Sequence, residues 1–171
     1  MDFSTLIGFK STTQLLPESF LKCYYDLPDD HWERIKQASL DLAKAKIGPA
    51  VLNIIEDDDN HRCLEYQQVI PFDAYNPNLR PNLTNEEIID QITILIATMH
   101  KLGYGHGDLH ISNLGFIGDK IYILDHDTVY RIGDGPVPWL QTWMEDGFDW
   151  EGSFEEFVAN DYDTWRSDWL Q

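Results

Sequence analysis

The segment from Thr84 to Asp125 constrains the fold most. Thr84-Asn85-Glu86-Glu87 has the pattern of a capping box, in which a hydroxyl and a carboxylate each take a backbone N–H at a helix start. Ile88, Ile92, Leu95, Met99 and Leu102 then recur at helical spacing, as one apolar stripe requires. Gly103 stands where a C-cap glycine is expected. Together these predict a helix over 85–102. A polar loop follows at 103–112. Two apolar runs, 114–117 and 121–124, then flank Gly118-Asp119, which predicts a tight β-hairpin.

The rest of the chain reads as shorter elements. Its 171 residues suit one domain, or two small lobes sharing a cleft. Residues 6–9 are apolar, 10–13 are turn-like and 20–25 are rich in β-formers, with Pro17-Glu18-Ser19 punctuating a hairpin. Asp29 and Asp30 suit a helix start, where carboxylates face unpaired N–H groups. Ile35, Ala38, Leu42 and Ala45 continue at helical spacing, and Gly48-Pro49 ends that helix. Residues 50–55 and 63–70 read as strands joined by an acidic tip at 56–60. Pro71, Pro77 and Pro81 mark 71–83 as a linker, the best boundary between lobes.

Composition narrows the partners. A hydrophobic content of 43% with 13% aromatics is globular rather than disordered. The net charge of −18 repels nucleic acid and anionic membranes, so neither is expected as a partner. The acidity serves solubility, or it forms a docking face for a basic protein partner or a mimic of DNA charge. It is densest from Glu145 onward, where Arg166 is the single base. Trp150, Phe154, Phe157, Tyr162, Trp165 and Trp169 are interleaved there. Amphipathic helices that pack these rings on the body are the expectation; an exposed docking tail is the alternative. Cys23 and Cys63 match neither a metal-site spacing nor a disulfide framework, and both read as free thiols in a reducing compartment. The N-terminus lacks the basic start and apolar run of a signal peptide, and no stretch of eighteen apolar residues occurs, so a cytoplasmic protein is expected.

The chemistry concentrates in His106-Gly107-Asp108-Leu109-His110-Ile111-Ser112-Asn113 and, past the hairpin, Leu124-Asp125-His126-Asp127. The hairpin folds Asp125 back beside the loop. One carboxylate and one amide can then hold a divalent cation while a second carboxylate, Asp108, faces an incoming hydroxyl. Phosphoryl transfer needs that combination of charge neutralisation and positioning. A competing reading places a transition-metal hydrolase site on His106, Asp108, His110, Asp125, His126 and Asp127.

This stretch resembles the protein-kinase superfamily, in particular its atypical branches with an H-G-D-L-x-x-x-N loop. These include aminoglycoside and choline phosphotransferases, the RIO kinases and the small kinase of the tRNA-modifying KEOPS complex. The resemblance implies an α+β, minimal two-lobed protein-kinase-like fold with a short β-rich N-lobe (1–70), a hinge (71–83) and a truncated helical C-lobe (84–171). It implies ATP and Mg²⁺ as cofactors, Asp108 as catalytic base, Asn113 and Asp125 as metal ligands, and Asp127 as a further acidic residue at the metal. His106 would be structural. His110 takes the place where many protein kinases carry lysine.

The N-terminal half carries the resemblance less closely. Residues 7–13 fall where a phosphate-covering glycine loop should lie, and of its glycines Gly8 alone is present. Lys10, Ser11 and Thr12 would contact phosphate instead. The stretch 20–24 resembles the strand bearing the nucleotide lysine, which makes Lys22 the phosphate contact and Glu33 its ion-pair partner. The implied function is an Mg²⁺-dependent kinase acting on a hydroxyl, with a protein serine or threonine favoured over a small alcohol as phosphoacceptor. The alternative is a degenerate kinase-fold binding module whose acidic surface docks a basic partner.

Overall fold

The computed structural model describes residues 10–58, 61–135 and 152–166. Its first layer is a four-stranded antiparallel sheet of β1 (Lys10–Leu15), β2 (Ser19–Tyr25), β3 (Val51–Asp58) and β4 (His61–Gln67), in the order β1-β2-β4-β3. Helix α1 (Asp29–Lys44) crosses over between β2 and β3. It buries Trp32, Ile35, Ala38, Ser39 and Leu42, a stripe at helical spacing. The helix ends at Lys44, before Gly48. Lys46 turns the chain through the left-handed region, and the N–H groups of Ile47 and Gly48 both donate to the Leu42 carbonyl at 3.0 Å.

Two expectations fail in this sheet. Residues 10–13 are strand rather than turn, with Ser11 opposite Tyr24 and Thr12 opposite Cys23. The β-branched threonines suit a pleated surface, and this outweighs the turn-like reading. Nor are Cys23 and Cys63 free. The register of β2 on β4 sets them directly opposite, Cα to Cα 4.1 Å, and they form a disulfide. Forty residues separate them in the chain, so their spacing could not reveal a partnership that strand pairing creates.

The second layer begins with β5 (Ile70–Pro71) and an irregular stretch, then α2 (Asn85–Lys101). The capping box forms: the Glu87 N–H donates to Thr84 Oγ1 at 3.1 Å, and the Thr84 N–H donates to Glu87 Oε2 at 2.7 Å. After β6 (Tyr104–Gly105) comes the hairpin of β7 (Leu114–Ile117) and β8 (Lys120–Ile123), with Ile117 opposite Lys120 across the two-residue turn. β5 adds to β7, and β9 (Tyr130–Arg131) pairs with β6. The last described helix is α3 (Phe154–Ala159).

The main core gathers Ile88, Ile92, Ile96 and Met99 of α2, the hairpin, and Trp165 from the C-terminal segment. Trp165 is fully buried and Phe157 nearly so, so these tail aromatics pack on the body. Trp150 and Trp169 lie outside the described residues. No described helix is long and apolar enough to cross a membrane.

Candidate functional site

A cleft of about 280 Å³ opens between the first sheet and the hairpin layer. Leu15, Phe20, Val69 and Leu124 supply apolar wall, while Lys22, Asn113 and Asp125 supply charge and polarity. Strand alternation explains the N-terminal lining. Thr13 lies opposite Lys22 and Leu15 opposite Phe20, so all four share one face of the β1–β2 pair. Ser11 belongs to that face farther along the strand, whereas Thr12 belongs to the other face. Ser11 and Thr12 thus sit in a paired strand rather than in a phosphate-covering loop. Gly8 and the side chain of Lys10 lie outside the described residues.

The loop after α2 is held from three sides. The His106 ring donates from Nε2 to the Leu124 carbonyl at 2.9 Å and accepts the Asp108 N–H at Nδ1, 3.3 Å. Asp161 reaches across from the C-terminal segment: Oδ2 accepts the His106 N–H at 2.9 Å and Oδ1 the Gly107 N–H at 3.1 Å. Gly107 has φ +82°, which the glycine permits without a Cβ penalty. Asn113 donates from Nδ2 to the Asp108 carbonyl at 2.7 Å. The Asp108 carboxylate is 3.5 Å from His110 Nε2, whose Nδ1 pairs with Ser112 Oγ at 2.6 Å.

Past the hairpin, the Leu124 N–H donates to the Asn113 carbonyl at 2.8 Å, which sets Asp125 beside Asn113. Asp125 occupies the left-handed region at φ 54°. A non-glycine residue held there is strained, and such strain collects at functional sites. Lys22 Nζ lies 2.8 Å from Asp125 Oδ1 and 2.8 Å from Asp127 Oδ2. Burial works against the Lys22 charge, but the two carboxylates outweigh it and hold the ammonium above its ordinary range. Burial likewise opposes the Asp125 charge, and the adjacent ammonium overcomes it, so that carboxyl titrates below its ordinary range. Asp127 is pushed upward, chiefly by burial.

Glu33 does not partner Lys22. Its side chain is 65% exposed and pairs with Lys36 at 3.0 Å. The reason is helical phase: Trp32, Ile35 and Ser39 face inward, which turns Glu33 outward. The helix contributes Ser39 instead. His126 donates from Nε2 to the Ile123 carbonyl at 2.9 Å, so its Nδ1 accepts from Ser39 Oγ at 2.8 Å. Ser39 in turn accepts from the Tyr66 hydroxyl at 2.8 Å. Burial lowers the His126 pKa to about 4, in keeping with a neutral ring.

These contacts leave the histidines little capacity for a transition metal. His106 and His126 spend both ring nitrogens on protein groups, and no cluster of metal-ligating side chains occurs among the described residues. Sequence reasoning gave no site role to Asp161, Ser39 or Tyr24, and it counted Asp161 among the docking acids, whereas that carboxylate is buried under the loop. Asp161 carried a faint signal, an acidic residue beside the packed aromatics Tyr162 and Trp165; the other two carried none.

The fold is a mixed α/β arrangement with a β-sheet layer and few helices, compatible with a small kinase-like fold. No family model matches the chain. Two solved structures of WbdD, described as a bifunctional kinase-methyltransferase and as monomeric WbdD, each superpose with a TM-score of 0.52. Their identities are 15% and 14%, and they cover 78% and 90% of this chain but 33% and 44% of the solved chains. A curated relative, the probable bifunctional tRNA threonylcarbamoyladenosine biosynthesis protein of Thermoplasma acidophilum, is 28% identical over 94 residues. That match spans 55% of this chain and 17% of the relative. The chain therefore covers under half the length of the curated relative and of these two solved chains.

Proposed function

We propose that the chain is an ATP-dependent phosphotransferase that moves the γ-phosphoryl group to a hydroxyl. The observation that carries this reading is one cleft lined by Lys22, Asn113 and Asp125, with Asp108 tied to Asn113 through its carbonyl. In this reading residues 1–70 and 84–171 are two lobes and 71–83 passes between them. The base and ribose lie against the apolar wall, and Lys22 neutralises phosphate. Asn113 Oδ1 and the Asp125 carboxylate are hard oxygen donors of the kind Mg²⁺ prefers, which makes them the residues to hold it. Bound there, Mg²⁺ would supply charge neutralisation at the phosphates. Asp108 orients the acceptor hydroxyl and takes its proton. The sequence resemblance favours a protein serine or threonine as acceptor over a small alcohol. The relative's printed role in tRNA modification belongs to a protein of which this chain matches 17%.

The experiment is titration of a fluorescent ATP analogue with and without Mg²⁺. Wild type should bind, Asp125→Ala should lose the Mg²⁺-dependent part, and Asp108→Asn should bind normally but lose turnover by a factor on the order of 10² or more. Wild type that binds no nucleotide would end the reading in favour of a kinase-fold binding module. Such a module would dock a basic partner through exposed acids such as Glu155, Glu156 and Asp163. Glu145, Asp146 and Asp149 lie outside the described residues.

A further inference from the structure

The two carboxylates on Lys22 are not equivalent. Asp125 lines the cleft and its side chain is 36% exposed. The Asp127 side chain is 10% exposed and is absent from the cleft wall. Its Oδ2 meets Lys22, while its Oδ1 accepts the Tyr24 hydroxyl at 2.6 Å. Lys22 and Tyr24 are two apart on β2, so one face of one strand presents an ammonium and a hydroxyl to the two oxygens of a single carboxylate. Helix α1 offers no competing acid, because Glu33 is turned outward onto Lys36 and Ser39 holds His126.

We propose that Asp127 is a positioning residue rather than a metal ligand: it is the standing counter-ion of Lys22, gripped by Tyr24, and it leaves Asp125 free to exchange Lys22 for a cation. The inference rests on the phosphotransferase reading only for that last exchange; the anchoring of Lys22 stands on the contacts themselves. Physically, a buried ammonium that gave up both partners at once would be left uncompensated, which is strongly unfavourable. With Asp127 fixed, Lys22 can release Asp125 and still keep its charge balanced while it reaches phosphate. The ion pair expected between sheet and helix is thus replaced by one between sheet and post-hairpin loop.

Two measurements on the full chain test this. In urea, without nucleotide, double-mutant cycles should give Lys22 and Asp127 a coupling of roughly tenfold in the unfolding constant, larger than that of Lys22 with Asp125. The variants are Lys22→Met, Asp127→Asn and Asp125→Asn. If Lys22→Met does not fold, Tyr24→Phe replaces it in the cycle with Asp127. Equal or weaker coupling for Asp127 overturns the proposal. In the fluorescent nucleotide titration, Asp127→Asn should weaken binding about equally with and without Mg²⁺, by on the order of tenfold, and add nothing to Lys22→Met. Loss of only the Mg²⁺-dependent part in Asp127→Asn would make it a metal ligand and overturn the proposal. Absence of nucleotide binding in wild type defeats the phosphotransferase reading, and the urea cycles still decide the anchor.

Discussion

The Asp161 carboxylate accepts the backbone N–H of His106 at 2.9 Å across fifty-five residues of sequence. It is 2% exposed and also takes the Gly107 N–H and meets His100 Nε2 at 2.9 Å. Asp161→Ala would leave one buried and one part-buried N–H group without their acceptor. Each unsatisfied buried donor costs about 1–3 kcal/mol, so a loss on the order of 3 kcal/mol is expected in urea unfolding. Wild-type stability in this variant would show that the loop is held by other contacts.

Trp165 separates a packed tail from a free one. It is fully buried within the α2 core. Trp165→Ala should destabilise by about 3–5 kcal/mol, the usual cost of deleting a buried large aromatic ring. A thermal melt measures it, and an unchanged midpoint would return the tail to the docking interpretation.

His126 gives stability a pH dependence of known sign. Its folded pKa is about 4, against 6.5 for the unperturbed ring, with burial as the cause. Between those values the unfolded chain binds more protons than the folded one. Stability from this group is therefore fully present above pH 6.5 and is lost as pH falls toward 4, with a slope of at most about 1.4 kcal/mol per pH unit. Urea unfolding of the metal-free protein across this window should show that slope reduced in His126→Gln. Parallel profiles for the two proteins would show that His126 does not carry it.

The Cys23–Cys63 disulfide closes a loop of forty residues in sequence separation. Chain-entropy arguments assign such a closure about 4 kcal/mol. Cys63→Ser, or wild type in reductant, should melt lower than oxidised wild type. Matching melts in the two redox states would mean that strand pairing alone holds β2 on β4.

Local patterns determined what they could encode within a few residues. The Thr84–Glu87 capping box, the α2 stripe from Ile88 to Met99 and the Gly118-Asp119 turn each formed as their spacing required, whereas Leu102, expected in that stripe, lies past the helix end and is exposed. These elements also put Asn113 and Asp125 on the cleft wall, with Asp108 bonded to Asn113 through its carbonyl, because loop and hairpin are contiguous in the chain. Helix α1 was legible too, but not the consequence of its phase: one residue of rotation, about 100°, sends Glu33 to solvent and Trp32 to the core. What the tertiary structure alone decided are the long-range pairings. Strand register joins Cys23 to Cys63, β2 brings Lys22 and Tyr24 onto Asp127, and the C-terminal segment delivers Asp161 under His106. Each pairing joins residues at least 40 apart in the chain, and whether two such groups meet depends on how layers pack, which no local periodicity records.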